Sequence, residues 1–384
     1  MTGDLQSRLK AKLDERKRTG LFRSLRTANA DPGILNLANN DYLDLAKDKR
    51  MQSAGIDALE RYGCSSSASP LITGYGRVHE ELKQTLCGWH GFSHGLIWNS
   101  GYAANQAVLS LLPQKSDLVF ADRLDHNSIL SGILKSGARL IRYRHADLDH
   151  LEDLLVDHGE SERNIFVVTE SVFSMDGDWP DLERLAKLKE SFEFFWILDE
   201  AHALGWYGDQ GQGLASELGV DDRVDLLAGT MGKALGSLGA YTLFRDGSIG
   251  DFLVNYSDEF IYSTYLNPAN AAIAIEAVDI VRASTPLRRQ GRKISKVIRR
   301  SLNALGLSVA EGDSNIISVV VGDADKTMRA SQLLNSQGIL VGSIRPPTVP
   351  RETSRLRISL KATLTSEDVE RILAAFGQVA KEIV

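Results

Sequence analysis

Cysteine is scarce in this sequence, since Cys64 and Cys87 are the only two among 384 residues. Two thiols cannot build a disulfide framework or a four-thiolate metal site, and they fit a reducing compartment. No apolar run reaches the roughly 18 residues of a membrane-spanning helix. The N-terminal segment lacks the apolar core of a secretory signal, and Asp4, Asp14 and Glu15 argue against an arginine-rich transit peptide. These absences predict a cytoplasmic protein.

An excess of positive charge is also missing. The net charge of −6 argues against a general nucleic-acid binder, which usually carries a basic surface. Hydrophobic residues at 43% and charged residues at 24% are ordinary for a globular protein. The length allows a sizeable core and more than one domain. The composition therefore predicts a globular protein whose ligands are not nucleic acids.

Motifs of several common enzyme classes are absent. A Walker A phosphate loop would need glycine where Leu227 stands, and Ser or Thr where Ala234 stands. No G-x-S-x-G nucleophile elbow occurs. His145, His150 and His158 lack tight metal-ligand spacing. They lie in a charged, helical-looking region, where we expect them at the surface.

Lys233 is flanked mainly by small and apolar residues in the stretch 225–241, DLLAGTMGKALGSLGAY. The stretch begins as a short apolar run, typical of a buried strand, and then breaks into glycines around Lys233. With little water nearby to keep it charged, such a lysine becomes a nucleophilic amine that can form a Schiff base with a carbonyl cofactor. From this stretch alone, a lysine that reaches out of a Gly-rich turn is an equally good interpretation.

Between residues 95 and 245 a short apolar run is followed five times by polar or small residues and then by an amphipathic segment. The apolar runs lie at 95–98, 118–120, 165–168, 195–198 and 226–228. Strands that alternate with helices predict a mostly parallel sheet between helices, and ligands bind at the carboxyl ends of such strands. The candidate site residues at these ends are Ser100, Gly101, Tyr102, His126, Ser174, Asp199, His202, Thr230 and Lys233.

Other elements are predicted on either side of this sheet. Leu5, Leu9 and Leu13 recur every four residues and predict an amphipathic surface helix. The segment 64–76 predicts a loop that either serves a site or is poorly ordered. A basic run between residues 282 and 300 predicts a helix with a solvated charged face.

The C-terminal part of the chain predicts a smaller domain. Apolar runs at 316–321, 339–341 and 355–360 predict strands, with helices around Leu333 and Ile372. We therefore predict an N-terminal helix and arm at 1–45, a large domain at 46–280 and a small α+β domain at 281–384.

The residues at the strand ends are suited to the parts of one ligand. Residues 100–102 precede a helix whose free N–H groups suit a phosphate, although a simple helix start would give the same pattern. A buried carboxylate at Asp199 needs a partner such as a protonated ring nitrogen. His126 could stack on a flat ring, although a lone histidine is more often structural, and His202 is placed to contact the ring or its oxygen. With the amine of Lys233, these groups predict pyridoxal phosphate.

At this point the sequence resembles the α-oxoamine synthases, a family among the fold type I pyridoxal-phosphate enzymes. The matching segments run in the family's order and cover nearly the whole chain. They are NDYL at 40–43, SGYAAN at 100–105, DHNS at 125–128, ESVFSMDG at 170–177, LDEAH at 198–202, GTMGK at 229–233, YST at 262–264, and RPPTVP at 345–350 followed by RLR at 355–357. The resemblance implies the fold type I transferase fold, with a mostly parallel seven-stranded type of sheet between helices and a smaller α+β domain.

The resemblance also implies a role for each residue of the site. Lys233 would form the Schiff base and transfer protons, Asp199 would pair with the ring nitrogen, and His126 would stack on the ring, so that these three are the predicted catalytic residues. His202 and Ser174 would contact the region of the ring oxygen. The implied phosphate contacts are Ser100, Gly101, Tyr102 and Thr230, together with Ser263 and Thr264, which would reach the other site of a homodimer.

Substrate contacts follow from the same resemblance. Arg357 would hold the amino-acid carboxylate, a role suited to a bidentate guanidinium, with an arginine on a strand face as the alternative. Asn40, Arg23 and Arg345 would complete the set, and the two arginines would contact a distal carboxylate or the acyl carrier.

The segment 345–350 is most similar to the biotin-pathway branch of the family, whose members condense L-alanine with a pimeloyl thioester on CoA or a carrier protein. The alternatives are a glycine-using relative, a long-chain acyl variant and a non-catalytic homologue that binds only a cofactor or a partner. The joint presence of the three catalytic residues and Arg357 argues against the last. Pro70 stands where the family usually has an arginine, in a loop that borders the acyl pocket, so the acyl group is the open question.

Overall fold

The computed structural model describes residues 3–25, 27, 33–158 and 163–383, which fall into two compact units. The larger unit comprises Asn40–Arg292 and Lys361–Thr363. The smaller unit comprises Lys293–Leu360, together with the described parts of Met1–Asn39 and Leu364–Val384. The three-part division of the chain at residues 45 and 280 stays a prediction.

The helices and strands of the described residues are numbered in chain order. The strands are β1 Leu35–Leu37, β2 His94–Trp98, β3 Leu118–Asp122, β4 Arg139–Tyr143, β5 Ile165–Glu170, β6 Phe195–Asp199, β7 Leu226–Thr230, β8 Ala240–Phe244, β9 Ile316–Gly322, β10 Ile339–Ile344 and β11 Ser354–Ser359. The helices are α1 Gly3–Arg18, α2 Lys49–Tyr62, α3 Arg77–His90, α4 Gly101–Leu111, α5 Asn127–Ser136, α6 Leu148–His158, α7 Leu182–Phe192, α8 Leu214–Glu217, α9 Gly247–Tyr256, α10 Asp258–Ile261, α11 Pro268–Ala283, α12 Thr285–Ala304, α13 Ala324–Ser336 and α14 Ser366–Ile383. None of these helices is long and apolar enough to cross a membrane.

The larger unit is built on a seven-stranded sheet in the order β2-β8-β7-β6-β5-β3-β4. β8 runs antiparallel to both of its neighbours, and the other pairs are parallel. β3, β5 and β7 are buried along their whole length, which explains their continuous apolar sequences. The predicted mostly parallel sheet is confirmed. β4 was not predicted, because this edge strand alternates arginine with apolar residues in the sequence RLIRY.

The carboxyl ends of the parallel strands carry the starts of helices. Ser100 caps α4, since its Oγ accepts a hydrogen bond from the N–H of Ala103 at 3.2 Å. His126 caps α5, since its Nδ1 accepts one from the N–H of Ser128 at 3.3 Å. The local sequence thus ends each strand and begins each helix at the edge where the site residues were predicted.

The smaller unit has a four-stranded sheet in the order β1-β10-β11-β9. β1 is parallel to β10, whereas β10, β11 and β9 pair in antiparallel fashion. Leu334 of α13 and Phe376 of α14 are completely buried in this unit, so the predicted C-terminal strands and helices are confirmed. The predicted N-terminal amphipathic helix is α1, and its Leu9 and Leu13 are 47% and 50% exposed.

The prediction of a solvated charged face on α12 is wrong for two of its arginines. Arg288 and Arg299 are each only 2% exposed. Arg288 donates to the carbonyl oxygen of Asp209 at 2.6 Å, and Arg299 donates to that of Ala310 at 2.8 Å. A guanidinium has five donors, so it can be buried where several backbone carbonyls converge on it.

Candidate active site

Lys233 lies in a tight turn just after β7. The N–H of Gly236 donates to the carbonyl of Lys233 at 2.9 Å, and the N–H of Met231 donates to that of Gly239 at 2.9 Å. Gly239 has φ +105°, and a Cβ there would lie 2.6 Å from the Met231 side chain, so only glycine closes this turn without strain. The turn holds Lys233 half-buried, with its Nζ 2.7 Å from Nε2 of His202.

His202 links Lys233 to a buried tyrosine. The hydroxyl of Tyr42 lies 2.6 Å from Nδ1 of His202 and 3.2 Å from Oδ1 of Asn40. An amide oxygen only accepts hydrogen bonds, so the single hydroxyl proton of Tyr42 goes to Asn40 and His202 Nδ1–H donates to Tyr42. The Nε2 atom of His202 then carries no proton, and it accepts a hydrogen bond from the amine of Lys233.

Asp199 lies at the end of β6 and is 8% exposed. Its Oδ2 accepts a hydrogen bond from the side chain of Asn105 at 2.9 Å, and its Oδ1 accepts one from the N–H of Ala201 at 2.9 Å. Asn105 also donates to Ser128 Oγ at 3.1 Å, which lies 2.7 Å from Nδ1 of His126. One hydrogen-bonded network therefore orients both the carboxylate and the exposed imidazole.

The predicted phosphate contacts gather around the start of α4. A Cβ added to Gly101, the first residue of α4, would lie 3.9 Å from the side chain of Thr230. Asn99 donates to Ser263 Oγ at 2.9 Å and to the carbonyl of Thr264 at 2.7 Å. Ser100 caps this helix and Tyr102 is half exposed beside it. Free N–H groups of a helix start beside a threonine are suited to a phosphate.

The groups present fit pyridoxal phosphate. The amine of Lys233, the buried carboxylate of Asp199 and the N-terminus of α4 lie at the same edge of one sheet. They supply a Schiff-base partner, an anion for a ring nitrogen and donors for a phosphate. The predicted roles of the individual residues remain predictions.

Ser174 lies in the buried loop that follows β5, and a histidine holds the far end of this loop. His145 Nε2 is 2.9 Å from Asp178 Oδ2, and His145 Nδ1 is 2.9 Å from Asp122 Oδ1 at the end of β3. Burial lowers the pKa of His145, but the hydrogen bonds and charges of Asp122 and Asp178 outweigh burial and raise the pKa to about 10. His145 is half-buried, with 24% of its side chain exposed, so the expectation of a surface residue holds only in part.

Replacing His145 with glutamine is expected to destabilise the protein by about 2 kcal/mol near pH 6, because it removes charge-assisted hydrogen bonds to Asp122 and Asp178. Since the pKa of His145 is raised on folding, this stabilisation is fully present below about pH 6.5 and is lost as the pH rises through about 10. Urea unfolding of the variant and the wild type across this pH range measures the difference in their free energy of unfolding. His150→Gln is the control, because the His150 ring bonds the N–H of Arg144. A stability difference that stays constant with pH would contradict the assignment.

The predicted substrate arginines lie in the smaller unit. Arg23 donates to Thr348 Oγ1 at 3.0 Å, and Arg345 donates to the carbonyl of Gly20 at 2.7 Å. Both line one cleft of about 560 Å³. Arg357 is buried on β11 and donates to Ser359 Oγ at 2.7 Å. The structure thus brings Arg23 and Arg345 together, whereas Arg357 lies on a strand.

The loop around Pro70 is held in place rather than loose. It contains a single π-helical turn, Pro70–Gly74. Ser66 Oγ donates to the carbonyl of Leu266 at 2.6 Å, and the N–H of Tyr265 donates to the carbonyl of Ala68 at 3.0 Å. The role of this loop in acyl specificity stays a prediction.

Sequence reasoning assigned no role to three residues that shape the site: Tyr42, Asn105 and Ser128. Each lies within a segment singled out above, but the pattern did not say what it contacts. Asn105 carried one usable signal, since it is a polar residue on the otherwise apolar buried face of α4.

Comparison with known proteins gives full-length matches. Residues 32–376 match the family model described as aminotransferase class I and II. A protein of Geotalea daltonii named 8-amino-7-oxononanoate synthase is 40% identical over 382 residues, covering 97% of each chain. The solved serine palmitoyltransferase of Sphingomonas wittichii is 26% identical with a TM-score of 0.90, covering 97% of this chain and 96% of its own. The solved 8-amino-7-oxononanoate synthase of Francisella tularensis is 26% identical with a TM-score of 0.78, covering 91% and 99%.

Proposed function

Because the chain belongs to the aminotransferase class I and II family, we propose that its site catalyses the decarboxylating condensation of an amino acid, preferably L-alanine, with a pimeloyl thioester. The products would be 8-amino-7-oxononanoate, CO2 and the free thiol of the acyl carrier. The observation that carries this proposal is the amine of Lys233, 2.7 Å from His202 and at the same sheet edge as the buried Asp199. The name shared by curated relatives that span the chain supports the product. The reaction would serve biotin biosynthesis.

The coarser predictions are confirmed. Relatives and structural neighbours place the chain among the α-oxoamine synthases, with the fold type I transferase fold. It is an acyltransferase, and its cofactor is pyridoxal phosphate. When bound, the cofactor supplies an electron sink for the negative charge that develops at the substrate α-carbon.

The chain's own residues supply binding, orientation and proton transfer. Lys233 would hold the cofactor covalently through its amine and would move a proton to and from the substrate α-carbon, and His202 lies within hydrogen-bonding distance of the free amine. Asp199 would keep the ring nitrogen protonated, because an adjacent buried carboxylate favours the positive form. His126 would pack on the ring, and Ser174 would contact the region of the ring oxygen.

The phosphate would be bound by Ser100, Gly101, Tyr102 and Thr230. The N–H groups at the start of α4 point out of the helix, and a glycine at its first position leaves room next to Thr230. This end of the site anchors the cofactor without taking part in the chemistry.

Substrate recognition rests on arginine. Arg357 binds the amino-acid carboxylate as a bidentate donor, with Asn40 as a further contact. The cleft with Arg23 and Arg345 also has apolar walls that include Leu340. Two cations in this cleft, which also has polar lining residues such as Ser331 and Asn335, suit the distal carboxylate of an aliphatic acyl chain, or the phosphates of its carrier.

A homodimer is the proposed assembly, in which Ser263 and Thr264, although hydrogen-bonded to Asn99 of their own chain, would also reach the phosphate of the other copy. The Pro70–Gly74 turn packs against α10, and near this contact Leu71, Ile72 and Tyr262 are 50%, 76% and 80% exposed. An apolar patch of this kind is typical of a surface that a second copy covers. Sedimentation would show a mass of twice 42.1 kDa. On the sequence grounds given above, the cytoplasm is the proposed location.

A long-chain acyl-transferring enzyme is the second candidate. The serine palmitoyltransferase neighbours match nearly the whole chain, and Pro70 alters the loop predicted to border the acyl pocket. A glycine-using acetyltransferase is the third. These candidates share the cofactor chemistry and differ in the two substrates.

Thiol release from a matrix of substrates tests the proposal. L-alanine, glycine and L-serine would each be paired with pimeloyl-CoA, pimeloyl carrier protein, acetyl-CoA and palmitoyl-CoA. We expect L-alanine with a pimeloyl thioester to give the highest kcat/KM. A higher kcat/KM for glycine with acetyl-CoA would contradict the biotin assignment and favour the glycine-using acetyltransferase. A higher kcat/KM for L-serine with palmitoyl-CoA would contradict it in favour of the long-chain acyl-transferring enzyme. A comparison of kcat/KM between pimeloyl-CoA and pimeloyl carrier protein identifies the acyl donor.

A further inference from the structure

Two acidic residues lie side by side at the edge of the sheet that carries the site. Glu170 ends β5 and Asp199 ends β6, and the two are direct partners in the parallel register. Neighbouring strands lie about 4.8 Å apart, and residues in register point to the same face. Glu170 is 3% exposed and Asp199 is 8% exposed. Two buried carboxyl groups at this spacing do not both ionise at neutral pH.

The hydrogen bonds show which of the two carries the charge. Asp199 accepts two hydrogen bonds, from Asn105 and from the N–H of Ala201. Glu170 also has two backbone donors beside it, the N–H groups of His126 and Ser174, but its Oε1 is buried and has no hydrogen-bond partner among the described residues. An ionised carboxylate is stable where donors point at both of its oxygens, as they do at Asp199, so Asp199 takes the charge and Glu170 takes the proton.

We propose that Glu170 is a positioning residue that stays protonated at neutral pH behind Asp199, so that one negative charge, and not two, faces the cofactor ring nitrogen. Its carboxyl group also lies beside the backbone N–H groups of His126 and Ser174, which belong to the two loops predicted to contact the ring. This role rests on the proposed cofactor site.

The charged surroundings of Glu170 agree with this assignment. Asp199 faces it from β6, Asp125 lies beside it before α5, and Lys233 approaches from the segment after β7. Burial raises the pKa of Glu170 and the charge of Asp199 raises it further, whereas Lys233 and the N–H groups of His126 and Ser174 lower it, leaving a pKa of about 8.

Two variants separate a neutral Glu170 from an ionised one. Glu170→Gln keeps a neutral group with an acceptor oxygen, so we expect pyridoxal phosphate to bind within about threefold of the wild-type affinity at pH 7. Glu170→Ala leaves the N–H groups of His126 and Ser174 without this acceptor, so we expect a loss of about fivefold or more. Fluorescence titration of the full chain with pyridoxal phosphate measures the affinity of both variants. If Glu170→Gln loses as much affinity as Glu170→Ala, the proposal is overturned.

Infrared difference spectra of the full chain provide a readout that does not depend on turnover. Asp125 and Glu200 are buried carboxyl groups too, so the wild-type spectrum minus that of Glu170→Gln isolates Glu170. We expect this difference to show the C=O band of a protonated carboxyl group at neutral pH, with and without the cofactor. A carboxylate band in its place would overturn the proposal. If the wild type binds no pyridoxal phosphate, the proposed function fails, while the infrared result still decides the protonation of Glu170.

Discussion

Replacing Lys233 with alanine is expected to lower turnover by roughly a thousandfold or more, because the site loses both its covalent link to the cofactor and its proton carrier. Nζ of Lys233 lies 2.7 Å from Nε2 of His202, and no second amine is placed in this way among the described residues of the network. The rate of thiol release with L-alanine and a pimeloyl thioester measures the loss.

Borohydride reduction identifies the covalent link directly. The wild-type protein mixed with pyridoxal phosphate and borohydride should gain the mass of the cofactor on the peptide that contains Lys233. Lys135→Ala is the matched control, because the Lys135 side chain is 53% exposed and pairs with Glu259 at 3.5 Å. The control should keep both the modified peptide and full turnover. A modified peptide from the same site in the Lys233→Ala protein would remove the basis of the assignment.

The sequence predicted where the site lies because parallel strands place their carboxyl ends at one edge. Asp199 ends β6, Thr230 ends β7 and Lys233 follows β7 by three residues, so the pattern located these residues without any knowledge of their contacts. The partners could not be predicted in this way. Tyr42 is 160 positions from His202, and Asn105 is 94 positions from Asp199. No local pattern encodes pairs so far apart.

For some charged residues outside the site, the sequence pattern did not predict solvent exposure correctly. A run of arginines or isolated histidines predicts solvent exposure, because burying an unpaired charge is costly. The buried Arg288 and Arg299 and the half-buried His145 avoid this cost through carbonyl or carboxylate partners that the fold supplies. Whether a charge is buried thus depends on groups that approach from other elements, and a one-dimensional pattern cannot show them.

The position of Asp199 at a strand end could be predicted from the sequence, whereas the orientation of its carboxylate could not. Asn105 and the N–H of Ala201 each bind one carboxylate oxygen, which fixes the plane of the group. Each oxygen keeps lone pairs for a further donor, and a protonated ring nitrogen is the donor that the proposed cofactor brings. The same carboxylate would also hold the positive charge that makes the ring an effective electron sink.

Replacing Asp199 with alanine is therefore expected to lower turnover by roughly a hundredfold or more, because a buried carboxylate partner shifts the pKa of a cation by about one to three units, at tenfold each. Cofactor affinity should fall as well, as measured by fluorescence titration. Asn105→Ala is the graded comparison: the carboxylate remains but loses one of its two positioning hydrogen bonds, so a loss of about tenfold is expected. If Asp199→Ala turned over like the wild type, the ring nitrogen could not be the partner of this carboxylate. If Asn105→Ala were as damaging as Asp199→Ala, the orientation of the carboxylate would matter as much as its charge.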